Sequence, residues 1–419
     1  MPGPQSLEHH LVERVVHPGR RAVGGHLDRE HHALRHLELA GDEPQAAGTI
    51  RQLDGRDVAR EDRLVVRRHA LVLRRKIDPQ LDALERAAAR ATEDMESSPS
   101  RGPVLLLRTV AMACDFDVML NPDGPSHQVD AASESLELVH QLEHLMTVYR
   151  TDSQLSVINQ TADQHPVAVD RELFELLNKA RQISEQTDHA FDPASGVLVS
   201  LWRRCRLAGR IPSQDEISME LARSGIKHVD WDESAATVHF RREGMEFNLG
   251  AIGKGYAVDR AGGLLQERGV DDWLIHGGRS SVRAQGKHAG LDGWPVGIQN
   301  PLLPDKPFAT LLLRDAALGT SGTAVQWFRH EGKRYGHILD PRTGWPVESM
   351  LSVSVIAPDA ALADALSTAF FVLGVENALK CCDNFPSVGA ILFPPPKQGR
   401  NLEPIFHNVP SDRLFFGKG

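Results

Sequence analysis

The chain has 419 residues, 41% hydrophobic and 25% charged, with 47 Lys and Arg against 56 Asp and Glu for a formal charge of −9. That balance is ordinary for a globular protein, leaves ample chain for a sizeable core, and argues against a contiguous basic patch for nucleic acid. No run of 18 apolar residues stands out as a membrane span, and Cys114, Cys205, Cys381 and Cys382 have neither metal-ligand spacing nor a paired framework.

Residues 1–100 differ in kind from the rest of the chain. No Phe, Tyr or Trp precedes Phe116, and Lys76 is the only lysine in a stretch crowded with Arg and His. Such a segment lacks the aromatic side chains on which cores depend. Three readings compete: a disordered arm, a small helical appendage around residues 81–90, or a spurious extension from an upstream start. The third is favoured, with Met95 as the candidate true start. A charged region followed by an apolar one is missing at the N-terminus, so the expected location is cytoplasmic.

The folded unit is expected over residues 104–410. A strand is predicted at 112–120, then an amphipathic helix at 131–149 with Leu136, Val139, Leu142 and Met146 on one face, and a second helix at 171–187. Pro212 and Ser213 with Glu216 open a short helix in the manner of a capping box. Strands are expected at 236–240, 245–249, 272–276, 294–299, 308–313 and 351–357, a loop at 300–307, and helices at 256–268 and 360–373. The order alternates without βαβ repetition, which points to an α+β fold.

Chemistry concentrates in two places. Residues 248–260 read Asn-Leu-Gly-Ala-Ile-Gly-Lys-Gly-Tyr-Ala-Val-Asp-Arg, three glycines in six residues just ahead of a helix. Glycine is used where the backbone is left-handed or where something lies against it, and a helix N-terminus favours an anion such as pyrophosphate. A glycine-rich turn with no ligand explains the run equally well. The second place is Ala-Asp-Ala-Leu-Ser-Thr at 363–368. On a helix, Asp364 and Thr368 share a face one turn apart with Ser367 beside them, a set of hard oxygens suited to Mg²⁺ or to an ordinary surface hydrogen bond.

Taken together, these residues resemble the ApbE-type FAD:protein FMN transferases, in an ordered series covering roughly residues 112–393. Met112 stands where that family has Met-Gly-Thr. Tyr149-Arg150-Thr151-Asp152-Ser153 with Asn159, then Ala190-Phe191-Asp192 ahead of Trp202, resemble two further signatures. The glycine run, Gly277-Gly278, Thr320-Ser321-Gly322, His337-Ile338-Leu339-Asp340-Pro341-Arg342-Thr343-Gly344 and the Asp-Ala-x-x-Thr helix complete the series.

The resemblance implies a T-fold-like arrangement of mixed sheets flanked by helices, with FAD held between two lobes. It implies cleavage of FAD, attachment of FMN by a phosphoester to a Ser or Thr of a flavoprotein acceptor, and release of AMP. Mg²⁺ would be held by Asp364, Ser367, Thr368 and the carbonyl of Gly253. Met112, Tyr149, Ala190, Phe191, Asp192, Gly250, Tyr256 and Ile338 would line the FAD site. His337 and Asp364 would be catalytic, His337 as the base. The same site could instead pass FMN to water as an FAD pyrophosphatase, or hold flavin without turnover. This chain departs from the pattern at Ala113 and Cys114, at Asn248 and Gly253, and at Arg279, where the family carries Asp or Asn.

Overall fold

The computed structural model describes residues 103–303, 306–323, 327–399 and 401–416, together with the backbone of residues 12–16. Apart from that backbone, the expectations for residues 1–100 lie outside the described residues.

The frame is one antiparallel sheet of nine strands. Its order is β1 (Val12–Val16), β2 (Val104–Ala111), β3 (Cys114–Leu120), β7 (Trp273–Gly277), β8 (Ser281–Gln285), β11 (Ala316–Gly322), β14 (Ser352–Ala357), β15 (Gly389–Phe393) and β16 (Ile405–His407). A three-stranded sheet of β9 (Trp294–Gln299), β10 (Pro307–Leu313) and β17 (Leu414–Phe416) covers one face, burying Trp294, Leu311 and Phe393 between the two. Three helices cover the other face: α1 (Gln128–Met146), α6 (Gly253–Glu267) and α7 (Ala360–Cys382).

A second group of elements sits beyond these helices. It comprises α2 (Gln154–Thr161), α3 (Arg171–Gln186), α4 (Gly196–Leu207), α5 (Gln214–Ala222) and a small sheet of β4 (Val167–Ala168), β6 (Thr237–Phe240) and β5 (Val229–Asp232). A hairpin of β12 (Trp327–His330) and β13 (Lys333–Gly336) lies apart from both large sheets. Antiparallel sheets with segregated helices make an α+β fold, as expected.

Local chemistry explains where these elements start and stop. In α1 the expected stripe is buried, with Leu136, Val139, Leu142 and Met146 inward. Ser213 and Glu216 make a reciprocal capping box at the head of α5. Asp359 caps α7 by accepting from Leu362 N–H, and the helix breaks at Gly374, whose φ is +71°, one residue beyond its expected end.

Two expectations need correction. Residues 245–249 are not a strand, although Met245, Phe247 and Leu249 alternate inward and are buried. Their backbone groups find partners other than a neighbouring strand: Asn159 exchanges both amide bonds with Phe247, Gly196 N–H donates to Glu246, and Asn248 N–H donates to Pro193. The periodicity came from burial, and the ladder is supplied by a side chain. Secondly, α7 is by length and composition apolar enough to cross a membrane. Here its apolar surface is spent inside the protein, against β11, β14 and α6.

Candidate active site

The residues singled out in the glycine run and in α7 meet at one end of the large sheet. Strands β2, β7 and β11 end there and β3, β8 and β14 begin there, as their antiparallel register requires. Helix α7 presses on this end because Gly319 of β11 has no side chain: a Cβ there would lie 2.4 Å from the carbonyl carbon of Ala363. Gly255 does the same for the crossing of α6 and α7, where a Cβ would lie 2.1 Å from the carbonyl oxygen of Ala360. The close backbone approach expected at the glycine run is therefore made, at Gly255, to another helix. None of Gly250, Gly253 and Gly255 has a left-handed backbone.

Asp364 lies at this junction, buried with 6% of its surface exposed. Its Oδ2 accepts from Gly255 N–H at 2.8 Å and from Ser281 Oγ at 2.6 Å. Burial pushes its carboxyl up to about 6, against the lowering effects of the nearby Lys254 charge and these two hydrogen bonds. One helical turn on, Ser321 Oγ lies 2.8 Å from Ser367 Oγ and 3.0 Å from Thr368 Oγ1, and Ser367 also donates to the Asp364 carbonyl.

This donor set is one carboxylate with a cluster of hydroxyls, and among the described residues no three His, Cys, Asp or Glu side chains gather into a metal group. A hard cation that keeps waters and shares substrate phosphates fits such a set, because hydroxyl and carboxylate oxygens are its ligands and a full protein cage is not required. Both hydrogen bonds to the Asp364 carboxylate fall on Oδ2, which points its remaining capacity toward Oδ1.

Asp259, the last acid of the glycine motif, holds this arrangement from behind. Its Oδ1 and Oδ2 each accept at 2.8 Å, from Ala360 N–H and Ala361 N–H, and Arg283 Nη1 lies 3.0 Å from Oδ1. Helix α6 thus grips α7 twice, at Gly255 and one turn later at Asp259. Burial, then the Asp359 charge, raise the Asp259 carboxyl above its ordinary value.

Two hairpin tips border the site. Met112 and Ala113 form the two-residue tip between β2 and β3, with φ of +50° and +59°, and Met112 N–H donates to Glu143. Gly278 and Arg279, with φ of +60° and +62°, form the tip between β7 and β8, and Gly278 N–H reaches the Asp115 carbonyl. Cys114 lies between these tips, near enough to Lys254 and Asp364 to feel both charges; burial is the main cause that pushes its thiol up to about 11.

The other predicted site residues are spread around this junction. Tyr149 is 71% exposed, with the Arg203 guanidinium 4.7 Å from its ring centre. Ser153 of the same signature caps α2. Ala190, Phe191 and Asp192 are buried, and the Asp192 carboxylate accepts from Ala194 N–H and Ile226 N–H. Gly250 is exposed, its N–H bonded to the Asn248 side chain. Tyr256 faces Glu172 from α6, and burial raises its hydroxyl to about 12.

His337 is exposed, Ile338 is buried, and the chain beyond them turns back on itself through Gly344 N–H to Asp340 O. Asp340 also holds Arg342 in a bidentate pair, so the expected turn is present. The described hydrogen bonds to the Asp364 carboxylate come from Gly255 and Ser281, so it is these two residues that the fold brings onto it.

Three contributors were not among the predicted site residues. Ser281 carries no local signal and enters through the register that pairs it with Gly319. Ser321 lay in a recognised motif without a role. Asp259 was visible as an acid four residues after Gly255, on the same face of α6.

The family model described as the ApbE family matches residues 112–392. The FAD:protein FMN transferase of Klebsiella pneumoniae is 36% identical over 268 residues, which cover 64% of this chain and 83% of that protein. The enzyme of the same name from Treponema pallidum is 34% identical over 300 residues, covering 68% and 83%. Among solved structures, the ApbE protein of Thermotoga maritima superposes with a TM-score of 0.62 at 31% identity, covering 70% of this chain and 94% of its own. The apo flavinyl transferase ApbE of Pseudomonas stutzeri gives 0.63 at 26% identity, covering 73% and 95%. The match takes in both hairpin tips, the glycine run and the Asp364 helix, and the chain belongs to the ApbE family.

Proposed function

We propose that this protein is a Mg²⁺-dependent FAD:protein FMN transferase, which moves FMN from FAD onto a Ser or Thr hydroxyl of a flavoprotein acceptor. Its relatives of that name support the activity, and the observation that carries it to this chain's own residues is the buried Asp364 beside the hydroxyls of Ser321, Ser367 and Thr368.

In the reaction the acceptor hydroxyl oxygen forms a bond to the FMN phosphorus, the bond from that phosphorus to the oxygen bridging to AMP breaks, and AMP leaves. Charge develops on the phosphoryl and leaving oxygens, so positioning and electrostatics supply most of the rate. Asp364, Ser367, Thr368 and the Gly253 carbonyl would hold Mg²⁺, which when bound neutralises the pyrophosphate and acts as a Lewis acid. Lys254 adds a fixed positive charge beside Asp364. His337 would take the acceptor proton as the base. Tyr149 and Gly250, with the partly exposed Met112 and Tyr256, would offer contacts to FAD, while buried Ile338, Ala190, Phe191 and Asp192 would shape the wall behind.

The test is mass spectrometry of a flavoprotein acceptor incubated with this protein, FAD and Mg²⁺, with AMP followed in the same tube. A mass gain of one FMN less a water is expected, and none when EDTA is present from the start. AMP without the mass gain would make the protein a pyrophosphatase, and unaltered FAD would leave only flavin binding.

A further inference from the structure

Arg329 and Arg334 stand directly opposite one another across β12 and β13. Like charges at facing positions repel, and this hairpin has no wider sheet to hold it together. Both arginines are exposed residues, and among the described residues neither has a carboxylate partner in an ion pair. The neighbouring Lys333 does have one, in Glu348 at 2.9 Å. The hairpin's other face is occupied, since Phe328 and Tyr335 pack on Trp202.

The arginine face also carries a ring. Trp327 lies 4.6 Å from the Arg334 guanidinium and 5.7 Å from that of Arg329, so the two cations share one aromatic platform. Burial, then the facing Arg329 charge, push the Arg334 guanidinium below its ordinary value. Arg334 is fixed in place by donating to the Thr323 carbonyl. Thr323 is two residues past Ser321, whose hydroxyl touches Ser367 and Thr368. Arg334 is therefore tethered to the residue that follows the strand carrying Ser321.

On a chain of net charge −9, two facing cations beside an aromatic ring, with no carboxylate partner among the described residues, make a locally basic spot. We propose that Arg329 and Arg334, with Trp327, form the surface that receives an acidic segment of the acceptor protein and leads its hydroxyl toward Asp364. This rests on the transferase reading for its purpose. A carboxylate on the incoming segment can sit between the two arginines and relieve their repulsion, and a second acidic group completes the charge balance, while backbone or apolar groups of the segment cover Trp327.

The experiment uses the full chain and two fluorescein-labelled decapeptides, each with a central threonine, one flanked by aspartates and the other by asparagines. Fluorescence polarisation at low and high salt is compared for the wild type and Arg329→Gln, and FAD binding to both is followed by flavin fluorescence. The wild type should prefer the acidic peptide by roughly fivefold or more at low salt, with the preference falling at high salt and in Arg329→Gln. FAD binding should be unchanged by the substitution.

Equal binding of the two peptides, or a preference that survives Arg329→Gln, overturns the proposal. So does a matching loss of FAD binding in Arg329→Gln, which would assign the pair to the substrate's phosphates. Tighter binding of a single-stranded oligonucleotide than of the acidic peptide would overturn it as well. Peptide binding reads the arginine pair whether or not FMN is transferred, so a wild type that transfers no FMN would count against the activity alone.

Discussion

Gly255 donates its backbone N–H to Oδ2 of Asp364 at 2.8 Å, and it comes that close because it has no side chain. A Cβ at this position would sit 2.1 Å from the Ala360 carbonyl oxygen and 2.8 Å from Ala361 N, both backbone atoms that cannot rotate away. Gly255→Ala should therefore force α6 and α7 apart, cost about 3 kcal/mol of stability, and disturb Asp364 at the same stroke. Gly253→Ala is the contrasting case, since the nearest atom to its added Cβ is 3.7 Å away. Thermal melts should show that variant unchanged or more stable by up to about 1 kcal/mol. Equal destabilisation by both would remove the packing argument for Gly255.

Asp364→Asn keeps the side chain's size while removing its charge. In the absence of metal the protein should be no less stable, because a carboxylate that burial has raised to about 6 is costly to ionise there. The linkage has a definite sign. A carboxyl whose folded value lies above its unfolded one contributes stability at acid pH that is lost as pH rises between about 4 and about 6. Without metal, the wild type should lose that increment across the window and Asp364→Asn should not. Isothermal titration with Mg²⁺ at pH 8 should show heat for the wild type and none for the variant. Retained Mg²⁺ binding by Asp364→Asn would displace the metal from this carboxylate.

How far the site could be read from the chain depended on the range of the signal. The Asp364, Ser367 and Thr368 cluster was legible because helical spacing alone places those side chains together. The role of Gly255 was half legible: closeness was expected, but the partner is Ala360, over a hundred residues away, and no local pattern encodes that crossing. Ser281 was invisible, since its contact with Asp364 follows from the register of β8 on β11. The strand expected at 245–249 failed because alternating burial looks the same whether the partner is a strand or, as here, the Asn159 amide. Strand β11, with two glycines in Ala-Ala-Leu-Gly-Thr-Ser-Gly, carries little strand propensity, and its place between β8 and β14 is a tertiary outcome.

Ala113 holds a φ of +59° in a two-residue tip closed by the pairing of Ala111 with Cys114. Both central residues of such a turn need positive φ, which an alanine adopts only with strain. Ala113→Gly should stabilise the protein by about 1 kcal/mol, with FAD binding unharmed. Chemical denaturation of the two proteins checks this, and a lower midpoint for the glycine variant would mean that the alanine methyl makes a contact worth more than the strain.

Asp117 lies on β3 between Arg108 of β2 and His276 of β7, each directly opposite it. Burial alone would raise its carboxyl, but two 2.6 Å bonds from Arg108 and the 3.2 Å approach of His276 outweigh that and hold it at about 2. A carboxyl depressed in the folded state gives stability above its unfolded value, which is lost as pH falls through the folded one. Between pH 4 and pH 2 the protein should lose about 2 kcal/mol that Asp117→Asn, already weaker at neutral pH, does not lose. Urea titrations across that range compare the slopes directly.

Asp259 and Asp359 both serve the N-terminus of α7, yet they should not weigh alike. Asp259 is 12% exposed, satisfies two backbone N–H groups and faces Arg283, so Asp259→Ala strands two buried backbone donors and leaves the partly buried Arg283 guanidinium without its carboxylate. A loss of about 3 kcal/mol is expected. The ion pair that Lys179 makes with Asp359 at 2.7 Å is 37% exposed on the lysine side, and Lys179→Ala should cost under about 1 kcal/mol. The distinguishing readout is metal affinity in protein that is still folded. If Asp259 sets where α7 presents Asp364, Asp259→Asn should weaken Mg²⁺ binding by roughly tenfold while Lys179→Ala leaves it alone. Unchanged Mg²⁺ affinity in Asp259→Asn, at temperatures where it is fully folded, would reduce Asp259 to a helix cap with no bearing on the site.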